Sequence, residues 1–510
     1  MSNSSSILLA LLVVVVAVVA SSLSRKRAGK LPPGPRGLPL LGNALDMMKL
    51  RPWLVYNEWK QQYGDIVYFT AADRGCLLLS SHKTTHELMD KRGSNYADRP
   101  RAVMSGEIVG YHPKVSVPNY NVPRVRQMRK IIIEGQNAKR LNDSIIPVVE
   151  EKLQGLLISF LHKPDDFAHH IKKFIAGVIF EITYGHVLED DDDKLWETYE
   201  QMSKDFSLST SIGAFAVDSV PALKYLPRWL NLGWMQEADR MIALRDVHAQ
   251  VPYDAVKEQV ANGTARPSLM ATLLERGQPT LEQEDIFKWV GSDFYSGGSD
   301  TTTAFFLSFV YMMSLHPEAM RKAQKEIKQV VGNRLPTLAD KAQLMYVDAV
   351  VQEIFRLNPV VPIIPHATAE DDEYEGYFIP KGTTVIANVW AIAHDESVYP
   401  DPHTFKPERY LNQEENARTG TNPDPRKNMA FGYGRRICPG QHMAEPVTFL
   451  TVMTILSVFD IEATNPNAPK PDFSKAEKYT TELFSRPEPF TCRIVPSSKE
   501  SEALIRALEV

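Results

Sequence analysis

The sequence predicts a mainly α-helical protein with a minor β part, built as a single large domain behind an N-terminal transmembrane helix. Three observations carry this. Apolar residues recur at helical spacing over most of the chain, with the longest stretch at 281–316. Short β-rich runs gather near residues 66–79 and again after Pro359, the latter with dense Pro and Gly. Ile7–Ala20 is an unbroken run of Ile, Leu, Ala and Val.

That run comes first in the chain. Ser21, Ser22 and Leu23 extend it to the lower limit for crossing a bilayer, roughly 17 residues. Arg25, Lys26, Arg27 and Lys30 follow it, and no Lys or Arg precedes it. The charge asymmetry keeps the C-terminal side in the cytosol. A cleaved signal peptide would carry its basic residues before the run. Residues 1–24 therefore read as a membrane anchor and 25–49 as a basic, Pro-rich hinge. Leu31-Pro32-Pro33-Gly34-Pro35 cannot be helix and is stiff. Residues 50–510 read as the folded domain.

Within that domain, a helix over about 50–65 carries Trp53, Tyr56, Trp59 and Tyr63 on one stripe, and short strands follow at Ile66–Phe69 and Leu77–Leu79. Helical patterns then run over about 82–92, 125–137, 142–162, 167–184, 192–206 and 235–260. Asp190–Asp193 reads as a solvated helix start. A helix over 281–316, about 50 Å long, is stopped at His316-Pro317. Its Asp285, Lys288 and Asp293 argue against a second membrane span. Further helices are expected at 318–331, 343–357 and 442–457, with a strand at Val385–Ala387.

Composition narrows the function. In 510 residues, 44% hydrophobic and 23% charged exclude wholesale disorder. A net charge of −5 excludes a general nucleic-acid binder. Cys76, Cys438 and Cys492 cannot build a disulfide framework, which fits a reducing compartment.

The strongest motif is Phe431-Gly432-Tyr433-Gly434-Arg435-Arg436-Ile437-Cys438-Pro439-Gly440. Its glycines and proline make a rigid loop with exposed amides, and a helix follows. Amides aimed at a sulfur and the positive end of a helix stabilise thiolate over thiol. One such sulfur, with no second Cys or clustered His, does not fit a four-ligand zinc site. It fits the axial ligand of a haem, whose porphyrin supplies four further donors. The alternative is an inert buried cysteine.

This frame matches Phe-x-x-Gly-x-Arg-x-Cys-x-Gly at each fixed position, and the chain resembles the cytochrome P-450 superfamily over nearly its whole length. Its later blocks resemble the microsomal enzymes of filamentous fungi, basidiomycetes especially, many of which belong to secondary metabolism. The resemblance implies a prism-shaped fold holding haem b (iron-protoporphyrin IX), with Cys438 as axial ligand and Phe431 beside it.

Three further constellations gain meaning from that company. Glu353 and Arg356 share a helix face, and Pro407-Glu408-Arg409-Tyr410 resembles the family's Pro-Glu-Arg-Phe element. Carried over, Glu353, Arg356 and Arg409 form a buried network behind the haem. Gly297-Gly298-Ser299-Asp300-Thr301-Thr302 interrupts the long helix. Two mid-helix glycines cost about 1 kcal/mol each. They suit either close approach of a flat ligand or plain helix packing. The family match assigns Asp300 and Thr301 to proton delivery during dioxygen cleavage.

Pro123-Arg124-Val125-Arg126-Gln127-Met128-Arg129-Lys130 opens a helix. The family has Trp-x-x-x-Arg here. This chain keeps Arg129 but places Val125 where the Trp is expected. Arg129, Arg436 and His366 are the haem-propionate candidates. Arg124, Arg126 and Lys130 read as a solvated or membrane-facing side.

By family position the substrate pocket draws on Val103, Met104, Ile108, Phe206, Phe215, Val217, Phe294, Val361, Ile363, Ile364, Leu483 and Phe484. This lining suits an apolar small molecule such as a terpenoid, polyketide, steroid-like or polycyclic compound.

The implied reaction is a monooxygenation, inserting one atom of O2 into a C–H or C=C bond with electrons from NADPH. No dinucleotide fingerprint is present. A membrane-bound NADPH–cytochrome reductase is therefore implied, with cytochrome b5 as an optional second donor. Arg435, Arg436, Arg426 and Lys427 are candidates for its docking face. Endoplasmic reticulum membrane is the implied location. Two other readings are a peroxide-rearranging or dehydrating enzyme that needs no reductase, and a non-catalytic haem-binding membrane protein. The Asp300-Thr301 pair argues against the former.

Overall fold

The helices form where the apolar spacing places them, and their ends follow local chemistry. The computed structural model describes residues 29–39, 41–72, 74–211, 213–411 and 429–509. The run Ile7–Ala20, the basic Arg25–Arg27 and the pair Arg426 and Lys427 lie outside the described residues. Among the described residues, no helix is long and apolar enough to cross a membrane.

Helix α1 (Pro52–Tyr63) starts on a proline and buries Trp53, Tyr56 and Trp59. Strands β1 (Ile66–Ala71) and β2 (Arg74–Leu79) follow. Helices α2 (Pro123–Glu134), α3 (Ile146–His162), α4 (Phe167–Tyr184) and α5 (Lys194–Thr210) come next. Asp193 caps α5 by accepting from the Leu195 and Trp196 amides. The helix expected over 235–260 is two, α6 (Gly233–Arg245) and α7 (Val247–Ala261), broken at Asp246. A short α8 (Leu269–Glu275) leads to α9 (Leu281–Leu315). A capping box of Thr280 and Gln283 opens α9, and Pro317 then starts α10 (Pro317–Val331). Helix α11 (Met345–Leu357) precedes β3 (Ile364–Ala367), β4 (Asp372–Tyr374), β5 (Tyr377–Ile379) and β6 (Thr384–Ala387). Helix α12 (Gln441–Val458), β7 (Phe459–Ala463), β8 (Cys492–Pro496) and α13 (Lys499–Arg506) complete the chain.

The main sheet has the order β1-β2-β6-β3, with β2 and β6 parallel and the outer pairs antiparallel. Its period-2 alternation buries both faces. Leu77, Leu79 and Val385 join one core cluster, while Cys76, Leu78 and Ile386 join the other. Two-stranded sheets β4-β5 and β7-β8 stand apart from it.

Helix α9 is the axis of the helical core, and α4 packs along it. The rings of Phe180 and Tyr295 stack at 4.5 Å, and Phe174 meets Phe306 at 6.5 Å. Close helix approach explains two glycines of α9. A Cβ at Gly291 would come within 2.5 Å of the Tyr184 hydroxyl, and one at Gly298 within 2.9 Å of Ile179 Cδ1.

Candidate active site

Cys438 lies where a strained loop meets the first turn of α12. Gly432 and Gly434 have φ of 83° and 56°, the left-handed region open to glycine. At Gly434 a side chain is also blocked by its neighbours, since a Cβ would fall 2.0 Å from the Met89 carbonyl oxygen. The Gly434 amide donates to Asp90 Oδ1 (2.5 Å), and the Cys438 amide donates to the Phe431 carbonyl (2.7 Å). The Phe431 ring packs on Phe355 of α11 at 5.4 Å, and Phe355 packs on Phe305 of α9 at 4.3 Å. The cysteine loop, α11 and α9 are thus held in register by three rings.

The sulfur differs from the other two. Cys76 and Cys492 are buried, and burial pushes each thiol up to about 12. Cys438 is half-buried. Burial also pushes its thiol up, but the Gly440 amide, Arg129 and the Gln441 amide oppose that rise. A Cβ at Gly440 would sit 3.6 Å from Cys438 Sγ, so the backbone passes directly beside the sulfur.

Beside the cysteine loop stands a group of basic side chains. Arg129 on α2 donates from Nη2 to the Ile437 carbonyl (2.6 Å). Arg436 is buried and donates to the carbonyls of Ala97 (2.7 Å), Val115 (3.1 Å) and Pro118. The sequence places Arg436 on a docking surface, but the structure turns it inward; Arg435 is the exposed one. His366 on β3 is buried and donates from Nδ1 to the Tyr96 carbonyl (2.7 Å).

A fourth member, Arg99, carries no motif and escapes sequence reasoning. It donates to the carbonyls of Ser116 (3.1 Å) and Pro365 (2.5 Å). Burial lowers Arg99 to about 9 and Arg436 to about 10, and the neighbouring guanidiniums add to both. Burial, then Arg99, Arg436 and Arg129, hold His366 well below the usual imidazole range. Asp98 is the one carboxylate opposing these shifts, and it acts on Arg436. Buried cations normally have matched anions. Two propionates of a haem on the Cys438 face supply the charges this set lacks, so the residues present fit that group.

Helix α9 supplies the opposite wall. Gly297 is exposed, and a Cβ there would meet nothing within 4 Å. The two glycines thus divide their roles: Gly298 serves helix packing, and Gly297 faces open space. Thr301 donates to the Gly297 carbonyl (2.6 Å), the back-bond that bends helices. Asp300 points elsewhere and accepts from the Ser203 hydroxyl on α5. The two side chains make no hydrogen bond to each other.

Behind the loop, Arg356 donates to Glu353 from Nε (2.7 Å) and Nη2 (2.9 Å), and Arg409 Nε donates to Glu353 Oε1 (3.1 Å). All three are buried. Val125 is buried as well. Arg124 pairs with Asp285 (2.5 Å), so it is not a free surface cation; Arg126 and Lys130 are exposed. Of the expected pocket lining, Val361, Ile363, Ile364, Leu483 and Phe484 are half-buried, whereas Val103, Met104, Val217 and Phe294 are packed into the core. A groove of about 1030 Å³ beside α10, β7 and α13 shares no residue with this site.

A sequence profile described as Cytochrome P450 matches residues 32–491. Curated relatives include cytochrome P450 monooxygenase 208 of Postia placenta, 37% identical over 94% of this chain and 93% of its own. Cytochrome P450 monooxygenase 98 of the same fungus is 38% identical over the same shares. Cytochrome P450 monooxygenase claR of Ampulloclitocybe clavipes is 36% identical over 94% of this chain and 89% of its own. Among solved structures, a zebrafish cytochrome P450 with abiraterone superposes with a TM-score of 0.68 at 22% identity. It covers 88% of this chain and 100% of its own, a likeness of fold. With the site geometry, these matches show that the chain belongs to the cytochrome P450 family of monooxygenases.

Proposed function

We propose that this chain is a membrane-anchored haem-thiolate monooxygenase that oxidises an apolar organic molecule by hydroxylation or epoxidation. The observation that carries the proposal is the half-buried Cys438, with amides aimed at its sulfur and three arginines and a neutral histidine grouped near its loop, short of anions. Cys438 would hold the iron. Arg99, Arg129, Arg436 and His366 would hold the propionates, and Phe431 would wall the thiolate side. When bound, haem with an anionic sulfur ligand supplies dioxygen activation, because the thiolate pushes electron density toward O–O cleavage.

The protein's own groups do the rest. The Thr301 hydroxyl stands in the open groove at Gly297 and positions a proton there. Asp300, anchored on Ser203, ties this part of α9 to α5 and would relay the proton. The half-buried apolar residues 361–364 and 483–484 exclude water and orient the substrate. A terpenoid, polyketide or polycyclic compound of fungal secondary metabolism fits such a lining. Electrons come from NADPH through a separate membrane reductase, for which exposed Arg435 offers a docking charge.

An anchor at residues 1–24 is supported by an exposed apolar surface that includes the segment following it in sequence. Leu38, Leu45, Met48 and Leu50 are exposed, as are Tyr225 and Trp229. A Cβ at Gly213 would lie 2.7 Å from Met48, so the 38–50 segment adjoins the one entering α6. A lipid surface suits that apolar face, and the basic Arg25, Lys26, Arg27 and Lys30 after the apolar run favour a catalytic domain on the cytosolic side of the endoplasmic reticulum.

The test is the carbon-monoxide difference spectrum of the reduced, membrane-expressed protein beside Cys438→Ser. A red-shifted Soret band lost in the variant is expected, followed by substrate-dependent NADPH consumption with a reductase. Well-expressed protein without a haem band would sink the proposal.

A further inference from the structure

We propose that Tyr120 is a haem-propionate donor of this chain, filling the place that Val125 leaves without one. The inference rests on haem occupying the Cys438 face. At position 125 the resemblance leads to an indole N–H, and this chain has a buried aliphatic side chain with nothing to donate. An anionic carboxylate leaving water needs its hydrogen bonds replaced.

Tyr120 stands at the right place to provide one. It closes the loop 115–120, which wraps around the cation group. Val115 and Pro118 accept from Arg436, Ser116 accepts from Arg99, and the Asn119 side chain accepts from the Arg99 amide (3.2 Å). The Tyr120 amide donates to Asp98 Oδ1 (3.1 Å), which fixes the backbone. The ring is half-buried and lies against two guanidiniums, Arg436 at 5.5 Å and Arg435 at 5.8 Å. Burial pushes Arg129 down, and the groups opposing this are Tyr120 and Cys438.

Every other polar group of this loop named above has a partner, but the Tyr120 hydroxyl has none among the described residues. A half-buried O–H among three arginines can find no acceptor on them, because guanidinium only donates. A carboxylate bound by Arg129 and Arg436 is an acceptor within the protein, and the planar ring supplies the flat contact missing at Val125.

The experiment compares haem-loaded wild type with Tyr120→Phe and Tyr120→Leu and follows haem transfer to excess apomyoglobin. Tyr120→Phe removes only the hydroxyl and should transfer haem about tenfold faster, as loss of one hydrogen bond to a charged group requires. Tyr120→Leu, which also removes the ring, should be at least as fast. Tyr225→Phe, a change at an exposed ring, should match wild type. Transfer from Tyr120→Phe within about twofold of wild type overturns the inference while the haem reading stands. Wild type that shows no thiolate haem band overturns both.

Discussion

Replacing Glu353 tests whether the network behind the cysteine loop is held by charge or by packing. Its side chain accepts from Arg356 twice, from Arg409 Nε and from the Lys406 amide (2.8 Å), and it is 0% exposed. Burial alone would lower Arg356, yet Glu353 holds its pKa above the usual value. Glu353→Gln keeps the shape and removes the charge facing two buried guanidiniums. Breaking a buried pair from one side costs about 3–5 kcal/mol. Arg356 keeps the carbonyls of Ala393 and Pro402, and Arg409 keeps that of Pro400. These contacts hold the expected loss near the lower end, about 3 kcal/mol. That is a large share of a total stability of about 5–15 kcal/mol. The assay is urea unfolding of the haem-loaded protein, followed by far-ultraviolet circular dichroism and the Soret band together. Glu353→Leu with Arg356→Met removes one charge of each sign and should cost less than the sum of the two single changes. A loss below about 1 kcal/mol for Glu353→Gln, the range of exposed pairs, would refute the reasoning.

Three further outcomes follow from the same geometry. Thr301→Ala should lower product formation about 100-fold while NADPH consumption falls less, read as the ratio of product to NADPH. Gly434→Ala should reduce the haem-loaded fraction and lower stability by more than the about 1–2 kcal/mol of left-handed backbone alone, because the Met89 carbonyl must move. Gly376→Ala, at φ 77° with open space around it, should show only the backbone cost. Acid should destabilise the fold through His248, which burial, then Lys114, depress to about 3. Its unfolded value is about 6.5, so the unfolded chain binds the extra proton as pH falls below that point. The His248 contribution should be flat above about pH 6.5 and fall by up to about 1.4 kcal/mol per pH unit below it, on top of the like contributions of buried His366 and His394, with His248→Gln removing one proton from the total slope.

Most helices were legible because their signals are local. The Thr280–Gln283 capping box and Pro317 bound α9 within a residue of the expected span. The division of 233–261 was not, since its apolar spacing continues through Asp246. Strands β7 and β8 pair across about thirty residues, so neither carries a nearby turn signal. At the site, Cys438 and the Glu353–Arg356 pair announce themselves by spacing. Arg99 does not, because a loop arginine gains meaning only when folding sets it beside Arg436 and His366. Lys114 is a similar case. It is buried and donates to Ser292 (3.1 Å), Ser296 (3.1 Å) and Asp293 (3.3 Å), pinning the loop after Tyr111 to α9, with nothing in its neighbours to announce it.

Comparing these buried charges shows why the cation group matters. Lys114 faces Asp293, and Arg356 and Arg409 share Glu353, so each of these buried cations has a carboxylate against it. Such pairs keep charge inside a fold at tolerable cost, because each ion finds its counter-ion and hydrogen bonds. Arg99, Arg129, Arg436 and His366 are arranged differently. The three arginines lower the proton affinity of one another and of His366, the hydrogen bonds of the group go to neutral carbonyls, and one aspartate stands near them. A fold that sets a carboxylate against these other buried cations would gain nothing from this repulsion on its own account. The repulsion has a use where the missing anions arrive with a ligand, because binding then relieves it and gains affinity from it. The group adjoins Cys438 through Ile437, so the same ligand must also meet a sulfur. A doubly anionic, thiolate-ligated metal macrocycle satisfies both demands at once, which is how the electrostatics of this chain lead to the cofactor of its family without any bound group in view.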